Sequence, residues 1–237
     1  MVTRDTWSDF AIGRCPVSER IRVLIVDDDA LVRAGLTTML RGAPSIHVVG
    51  EAADGSQVLA ALDRHRTDVI LMDLRMPQVD GLAALELVRT QPTPPAVIVL
   101  TTFDTDDTVL RALRLGAAGF LVKDVPPADI VRAIELVADG ESMLSPTVTR
   151  RLIDGLAGDR DAEQRRTAAA ARFQSLTPRD QQIALGIAQG QSNAAIAAEL
   201  HLSVSTIKSR VSSILTQLAL GNRVQVALMV QDTRRAP

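Results

Sequence analysis

The sequence of 237 residues predicts two domains, a doubly wound parallel α/β sheet followed by a small all-α module. Short apolar runs alternate with helix-period segments from Ile21 onward, which indicates parallel strands joined by helices. From Leu176 the hydrophobic period is helical throughout. Acids outnumber bases in residues 20–140, whereas bases outnumber acids in residues 172–237. This asymmetry supports two domains and makes the basic one the candidate for binding nucleic acid.

The composition excludes several kinds of site. Cys15 is the only cysteine, so neither an internal disulfide nor a cysteine-based zinc site can form. There is no Tyr and one Trp, so stacking of aromatic side chains on bases is not the expected mode of action. The N-terminal residues are not expected to form a signal peptide, and no apolar run approaches the ~20 residues that span a bilayer. We therefore expect a soluble cytoplasmic protein with no membrane partner.

The chain divides into four segments by its patterns. Residues 1–19 lack periodicity and are expected to be a flexible arm. Residues 20–140 are predicted to form the α/β domain with five parallel strands. Residues 141–172 are interpreted as a partly helical linker, which begins with one possible helix over 146–156 and continues as a charged stretch poor in apolar residues. Residues 173–237 are predicted to hold four short helices with tight turns.

Polar residues follow the predicted strands. In a doubly wound sheet the ligand site lies outside the carboxyl ends of the strands. The residues at those ends are Asp27, Asp28, Asp73, Thr101 and Lys123. Carboxylates gathered at one point repel one another, and Mg²⁺ is a natural compensation because it prefers one or two carboxylates plus phosphate oxygens. A carboxylate can itself form an aspartyl phosphate, while a lysine supplies a point charge to a phosphoryl oxygen.

Each of these residues also has an ordinary interpretation when it is taken alone. Asp27, Asp28 and Asp29 would serve as acids at a helix N-terminus, where the macrodipole favours them, and Asp29 is expected to do so. Lys123 alone would be a solvated charge. The coincidence favours a site, because the residues fall at the ends of different predicted strands.

These strand ends resemble the receiver domain of bacterial two-component response regulators, whose fold is flavodoxin-like. The resemblance covers residues 20–140, and its motifs are 26–29, 69–77 with 80–81, 99–103 and 119–124. It implies that Asp73 accepts a phosphoryl group from a sensor histidine kinase. Thr101 and Phe120 would be the switch pair, and Lys123 would bind the phosphate.

The same resemblance implies a magnesium site. Asp28 and Asp73 would bind Mg²⁺ directly, together with the backbone carbonyl of Arg75, and Asp27 would act on the metal through water. One departure from the wider receiver pattern is Asp124, which stands where many receivers have a proline after a cis bond. A cis bond before a residue other than proline costs ~2.5–4 kcal/mol, so a trans bond is one expectation here.

The C-terminal module offers one helix with a polar face. Short hydroxyl side chains and long cations suit contacts with phosphates and base edges in a major groove. That face carries Ser205, Thr206, Lys208, Ser209, Arg210, Ser212, Ser213 and Thr216. Taken alone, such a face is more often an ordinary solvated surface.

Segments 176–180, 188–193, 196–200 and 203–208 look like the LuxR-type helix-turn-helix. Regulators that join this module to a receiver form the NarL-like subfamily, and the whole chain fits it. The resemblance implies that helix 204–219 is the recognition helix. The residues expected to contact DNA are Lys208, Ser209 and Ser212 at base edges, Thr206 and Arg210 near phosphates, and Ser205 on the same face.

Several positions depart from that family. Asp180 stands where Glu is usual, Arg210 stands where His is usual, and Gln217 replaces a frequent Lys. Ser212 and Ser213 are uncharged. We expect weaker electrostatic binding per monomer and more reliance on dimerisation, which the slope of log affinity against log salt concentration tests.

The sequence therefore predicts a phosphorylation-controlled transcriptional regulator that is a stoichiometric phosphoacceptor rather than an enzyme. With Mg²⁺ present, a phosphoryl group on Asp73 would draw Thr101 toward it, and Phe120 would repack inward. The change would free the recognition helix or promote a homodimer on two half-sites of promoter DNA.

Three alternatives remain open at this point. The receiver could bind DNA independently of phosphorylation. The chain could be a Mg²⁺-dependent phosphatase, although such an enzyme would need a second aspartate two residues after Asp73, where Arg75 stands. The helical module could be a protein-binding adaptor that does not touch DNA.

Overall fold

The computed structural model describes residues 20–102, 106–144 and 162–234. Within these ranges an α/β domain is followed by a helical module. The arm predicted for residues 1–19 and the helix considered for 146–156 lie outside the described residues.

The strands of the α/β domain form one parallel sheet. They are β1 (Ile21–Val26), β2 (Ile46–Ala52), β3 (Val69–Met72), β4 (Ala96–Thr101), β5 (Gly119–Val122) and β6 (Met143–Leu144). Their order across the sheet is β2-β1-β3-β4-β5-β6. The first five correspond to the predicted strands. The sixth is a two-residue strand in the segment interpreted as a linker, and it pairs with β5 through Gly119 opposite Met143 and Phe120 opposite Leu144.

Helices cover both faces of this sheet, which confirms the doubly wound architecture. They are α1 (Ala30–Arg41), α2 (Val58–Arg64), α3 (Gly81–Arg89), α4 (Asp106–Leu115) and α5 (Pro127–Ala138). Alternate residues of a strand point to opposite faces, so each of β1 to β5 contributes to two hydrophobic clusters. Leu24, Ile70 and Val99 belong to one cluster, whereas Val23 and Leu71 belong to the other. Burial on both faces explains why the strands have continuous apolar runs.

Two turns at the carboxyl edge of the sheet are fixed by aspartate side chains that cap the following helices. The second turn also requires a glycine, because the chain passes close to a strand there. Asp29 caps α1, because its carboxylate accepts the N–H groups of the first helical turn, as predicted. Asp80 caps α3 in the same way. At Gly81 the chain passes close to β3, since a Cβ atom there would lie 2.2 Å from the carbonyl oxygen of Asp73. Glycine is therefore required at position 81 by the close approach.

The helical module contains α6 (Ala162–Gln174), α7 (Pro178–Ala188), α8 (Asn193–Glu199), α9 (Val204–Gln217) and α10 (Arg223–Arg234). Thr177, Ser192 and Ser203 cap α7, α8 and α9 respectively, each by accepting a backbone N–H. A third hydrophobic core, separate from the sheet, includes Ile183 and Ile207. No helix in the described ranges is long and apolar enough to cross a membrane.

Candidate functional site

Three carboxylates meet at the carboxyl ends of β1 and β3. One oxygen each from Asp27, Asp28 and Asp73 lies within 4.8 Å of the others. Asp27 and Asp73 are buried, whereas Asp28 is exposed. Carboxylate oxygens that converge on one point, with solvent on one side, suit a hard cation that keeps several of its waters. The donor set therefore fits Mg²⁺.

Lys123, directly after β5, joins two of these carboxylates. Its Nζ lies 2.6 Å from Oδ2 of Asp27 and 2.7 Å from Oδ2 of Asp73. Burial acts to lower the pKa of the Lys123 ammonium, but its hydrogen bonds to both carboxylates outweigh burial and leave its pKa raised. Burial raises the pKa of Asp27, against the hydrogen bond from Lys123. The Lys123–Asp124 peptide bond is trans, since the described residues contain no cis bond.

The second oxygen of Asp73 is held by the backbone that follows it. Oδ1 accepts the N–H of Leu74 at 2.7 Å and that of Arg75 at 3.4 Å. Beside this turn lies an open cleft of about 530 Å³, which Asp28 and Arg75 help to line. The carbonyl of Arg75 as a metal ligand stays a prediction.

The two residues predicted as a switch pair are both buried. Thr101, at the end of β4, is 1% exposed, and its Oγ1 lacks a hydrogen-bond partner, alone among the buried side-chain polar atoms of the described ranges. A buried hydroxyl without a partner is costly, so Thr101 stands to gain from an acceptor that enters the site. Phe120 is 2% exposed and packs in a core cluster. The ring is therefore already inside in this structure, and its movement on phosphorylation stays a prediction.

The predicted DNA-contacting residues share one face of α9. The opposite face is buried and anchors the helix through Ile207, Val211 and Ile214. Ser205, Ser209 and Ser212 are exposed, and Thr206, Lys208 and Arg210 are partly exposed. The six side chains thus lie on the side of α9 away from its buried face, and their contact with DNA stays a prediction.

Two positions at which the chain departs from the LuxR-type pattern contact each other. Nη1 of Arg210 lies 2.9 Å from Oδ1 of Asp180. Asp180 is 9% exposed, and its other oxygen accepts the hydroxyl of Thr177 at 2.5 Å. The carboxylate therefore orients the guanidinium and offsets part of its charge.

Acids after α5 contact cations of the helical module. Nζ of Lys208 lies 2.5 Å from Oδ1 of Asp139. Glu141 accepts the backbone N–H of Asn193 at 2.7 Å and forms an ion pair with Arg223, which is only 4% exposed. Burial lowers the pKa of Arg223, against the attraction of Glu141. Sequence reasoning missed Asp139, Glu141 and Arg223, because an acid after a helix carries no signal that distinguishes it from a solvated one.

The start of α10 extends this interface between the domains. Nδ2 of Asn222 donates to the carbonyl of Gly116 at 2.6 Å, and Nε2 of Gln225 donates to the carbonyl of Arg114 at 2.6 Å. Val224 is 5% exposed and belongs to one core cluster of the α/β domain. The two domains therefore share apolar as well as polar contacts.

Comparisons with known proteins agree with this architecture. Residues 23–135 match the family described as "Response regulator receiver domain", and residues 174–230 match "Bacterial regulatory proteins, luxR family". The chain is 34% identical over 216 residues to the nitrate/nitrite response regulator protein NarL of Escherichia coli, which covers 91% of this chain and 97% of that protein. It is 38% identical over 208 residues to the probable transcriptional regulatory protein NarL of Mycobacterium tuberculosis. That match covers 88% of this chain and 92% of that protein.

Among solved structures, the chain resembles the crystal structure of the response regulator ChrA of a heme-sensing two-component system. The identity is 32% and the TM-score is 0.50, with 91% of this chain and 98% of that one covered. The likeness therefore extends across both domains.

Proposed function

Because this chain belongs to the response regulators that join a receiver domain to a LuxR-type helix-turn-helix, we propose that phosphorylation of Asp73 controls its binding to promoter DNA. The observation that carries the proposal is the environment of Asp73, which is buried, clustered with two further carboxylates and in contact with Lys123. The same chain exposes a polar helix face suited to a major groove. In this proposal the protein is a stoichiometric phosphoacceptor that regulates transcription.

The proposed transfer uses Asp73 as the nucleophile. Its Oδ2 forms a bond to phosphorus while the bond from phosphorus to a histidine nitrogen of the sensor kinase breaks, and that nitrogen keeps the electron pair. Asp28 and Asp73 would hold Mg²⁺, which when bound offsets charge on the phosphoryl group. Lys123 then exchanges its contact with Asp73 for one with a phosphoryl oxygen. The Thr101 hydroxyl gains the acceptor that it lacks here.

The proposed control of DNA binding rests on the contacts between the domains. Lys208, expected at base edges, contacts Asp139, and Arg223 pairs with Glu141. A carboxylate on Lys208 competes with the DNA for the same cation. In the proposed mechanism the unphosphorylated chain is held in this closed arrangement, and phosphorylation releases the helical module to bind two half-sites as a homodimer.

The decisive experiment compares the wild type with Asp73→Asn. Acetyl phosphate and Mg²⁺ are added, and solution mass and footprinting on DNA upstream of its own gene are measured together. We expect wild type to gain mass and DNA protection, and Asp73→Asn to gain neither. Asp63→Asn, which removes an exposed acid of α2, is the matched control and should behave as wild type.

The alternatives give different results in the same experiment. Equal DNA affinity and mass with and without the donor would favour a regulator independent of phosphorylation. Steady release of phosphate from small phosphomonoesters would favour a phosphatase. A folded, phosphorylated protein without any footprint would favour a protein-binding adaptor.

A further inference from the structure

Arg33 of α1 contacts the backbone that carries the carboxylate cluster. Its Nη1 donates to the carbonyl of Asp27 at 2.7 Å and to the carbonyl of Asp28 at 3.1 Å. Both carbonyls belong to the turn between β1 and α1, and this turn supplies two of the three clustered carboxylates. Arg33 therefore holds the peptide units from which those two side chains project.

The guanidinium of Arg33 is itself held from a second direction. Its Nε lies 3.5 Å from Oε2 of Glu51, near the end of β2. The other oxygen of Glu51 accepts the hydroxyl of Thr37 at 2.8 Å, and Thr37 is 9% exposed. The Arg33 side chain is 16% exposed. Its orientation is thus set jointly by the turn between β1 and α1 and by β2, and a carboxylate offsets its charge.

We propose that Arg33 is a positioning residue for metal binding, which keeps the Asp28 carboxylate directed toward Asp73. The inference rests on the magnesium site of the proposed function. Asp27 is fixed by its own contact with Lys123. Asp28 is exposed, so its position depends on the backbone of the turn. Residues that orient metal ligands without touching the metal typically change the metal affinity by about 10- to 100-fold when they are substituted.

If Arg33 acted only through its charge, its removal would change the Mg²⁺ affinity in the opposite direction. A guanidinium near three carboxylates repels a divalent cation, so removing the charge alone would strengthen Mg²⁺ binding. Because Glu51 faces the guanidinium, this repulsion is reduced and the positional effect dominates. The sign of the change in Mg²⁺ affinity therefore separates the two roles.

The test is calorimetric titration of Mg²⁺ into the full-length unphosphorylated chain. Arg33→Met should weaken Mg²⁺ binding about tenfold. Arg33→Lys keeps the charge and one donor nitrogen, so its Mg²⁺ affinity should fall between those of Arg33→Met and wild type. The matched control is Arg64→Met, because Arg64 also donates to a backbone carbonyl, that of Ala60, within α2. Hydrogen exchange should accelerate at residues 27–29 in Arg33→Met alone.

Unchanged or tighter Mg²⁺ binding in Arg33→Met, with wild type binding normally, would overturn the positioning role. Accelerated exchange across the whole α/β domain in both Arg33 variants would also overturn it, since Arg33 would then be a general stabilising residue. If wild type itself bound no Mg²⁺, the magnesium site of the proposed function would fail, and this inference with it.

Discussion

Glu141→Gln is the sharpest perturbation of the interface between the domains. The substitution keeps the size of the side chain and one oxygen that can accept from Asn193, but it removes the negative charge from Arg223. The closed arrangement loses stability, whereas the open chain loses little, because Arg223 keeps its bond to the carbonyl of Gln191 within the helical module. We therefore expect unphosphorylated Glu141→Gln to bind DNA more tightly than wild type.

The expected increase in DNA affinity is worked out from the burial of Glu141 and Arg223 and from the number of hydrogen bonds that change. The side chains of Glu141 and Arg223 are 14% and 5% exposed, so solvent screens them little. Hydrogen bonds to charged groups contribute about 1.5–3 kcal/mol and neutral ones about 0.5–1.5 kcal/mol. The bond from Asn193 becomes neutral, and the bond from Arg223 keeps only the charge of the guanidinium, so each loses about 1 kcal/mol. The total of about 2 kcal/mol corresponds to an increase of about 30-fold in the open fraction. Asp139→Asn should act more weakly, because its pair with Lys208 is 61% and 41% exposed.

The assay is fluorescence anisotropy with a duplex from upstream of the protein's own gene, without a phosphodonor and at one fixed salt concentration. Glu135→Gln is the matched control, because Glu135 lies on α5 and its partner, Ser45, is within the same domain. DNA affinity of Glu141→Gln equal to that of Glu135→Gln and wild type would refute the reasoning. A larger effect from Asp139→Asn than from Glu141→Gln would refute the ranking by burial.

Three further predictions concern stability and DNA contact. Hydrogen bonds from Arg22 lower the pKa of Asp68. The stabilising effect of the Asp68 carboxylate is therefore present above pH ~3.8 and is lost as the pH falls through the lowered pKa. The difference in unfolding free energy between wild type and Asp68→Asn should shrink on acidification. Gly81→Ala places a Cβ 2.2 Å from the Asp73 carbonyl and should cost about 1–3 kcal/mol or more in urea unfolding. Arg210→Gln should lower the salt slope of DNA binding by about 0.9 if it contacts a phosphate, and an unchanged slope would contradict that contact.

The α/β domain and its site were predictable because both depend on local patterns. Continuous apolar runs indicated buried parallel strands, and the rule that ligand sites follow strand ends placed Asp27, Asp73 and Lys123 at one edge. The structure brings these side chains together. The direct contact of Lys123 with two carboxylates was not predictable, because strand-end patterns place residues at one edge without specifying which charges pair.

The contacts between the domains could not be predicted for a related reason. Asp139 and Glu141 follow α5 as acids without any period or motif, and their partners Lys208 and Arg223 lie about 70 to 80 residues further along the chain. Phe120 shows the opposite case: resemblance indicated its importance, but only the structure gave its state, which is already buried.

Strand β6 offers a physical route for the coupling between phosphorylation and DNA binding that we propose. Lys123 directly follows β5, and β5 pairs with β6 at Gly119–Met143 and Phe120–Leu144. Glu141 lies two residues before β6, so a movement of β5 reaches its carboxylate through one short pairing. In the proposed mechanism, transfer of Lys123 from Asp73 to a phosphoryl oxygen shifts β5. Hydrogen exchange at residues 143–144 should then respond to acetyl phosphate in wild type but not in Lys123→Gln, and an equal response in both would exclude this route.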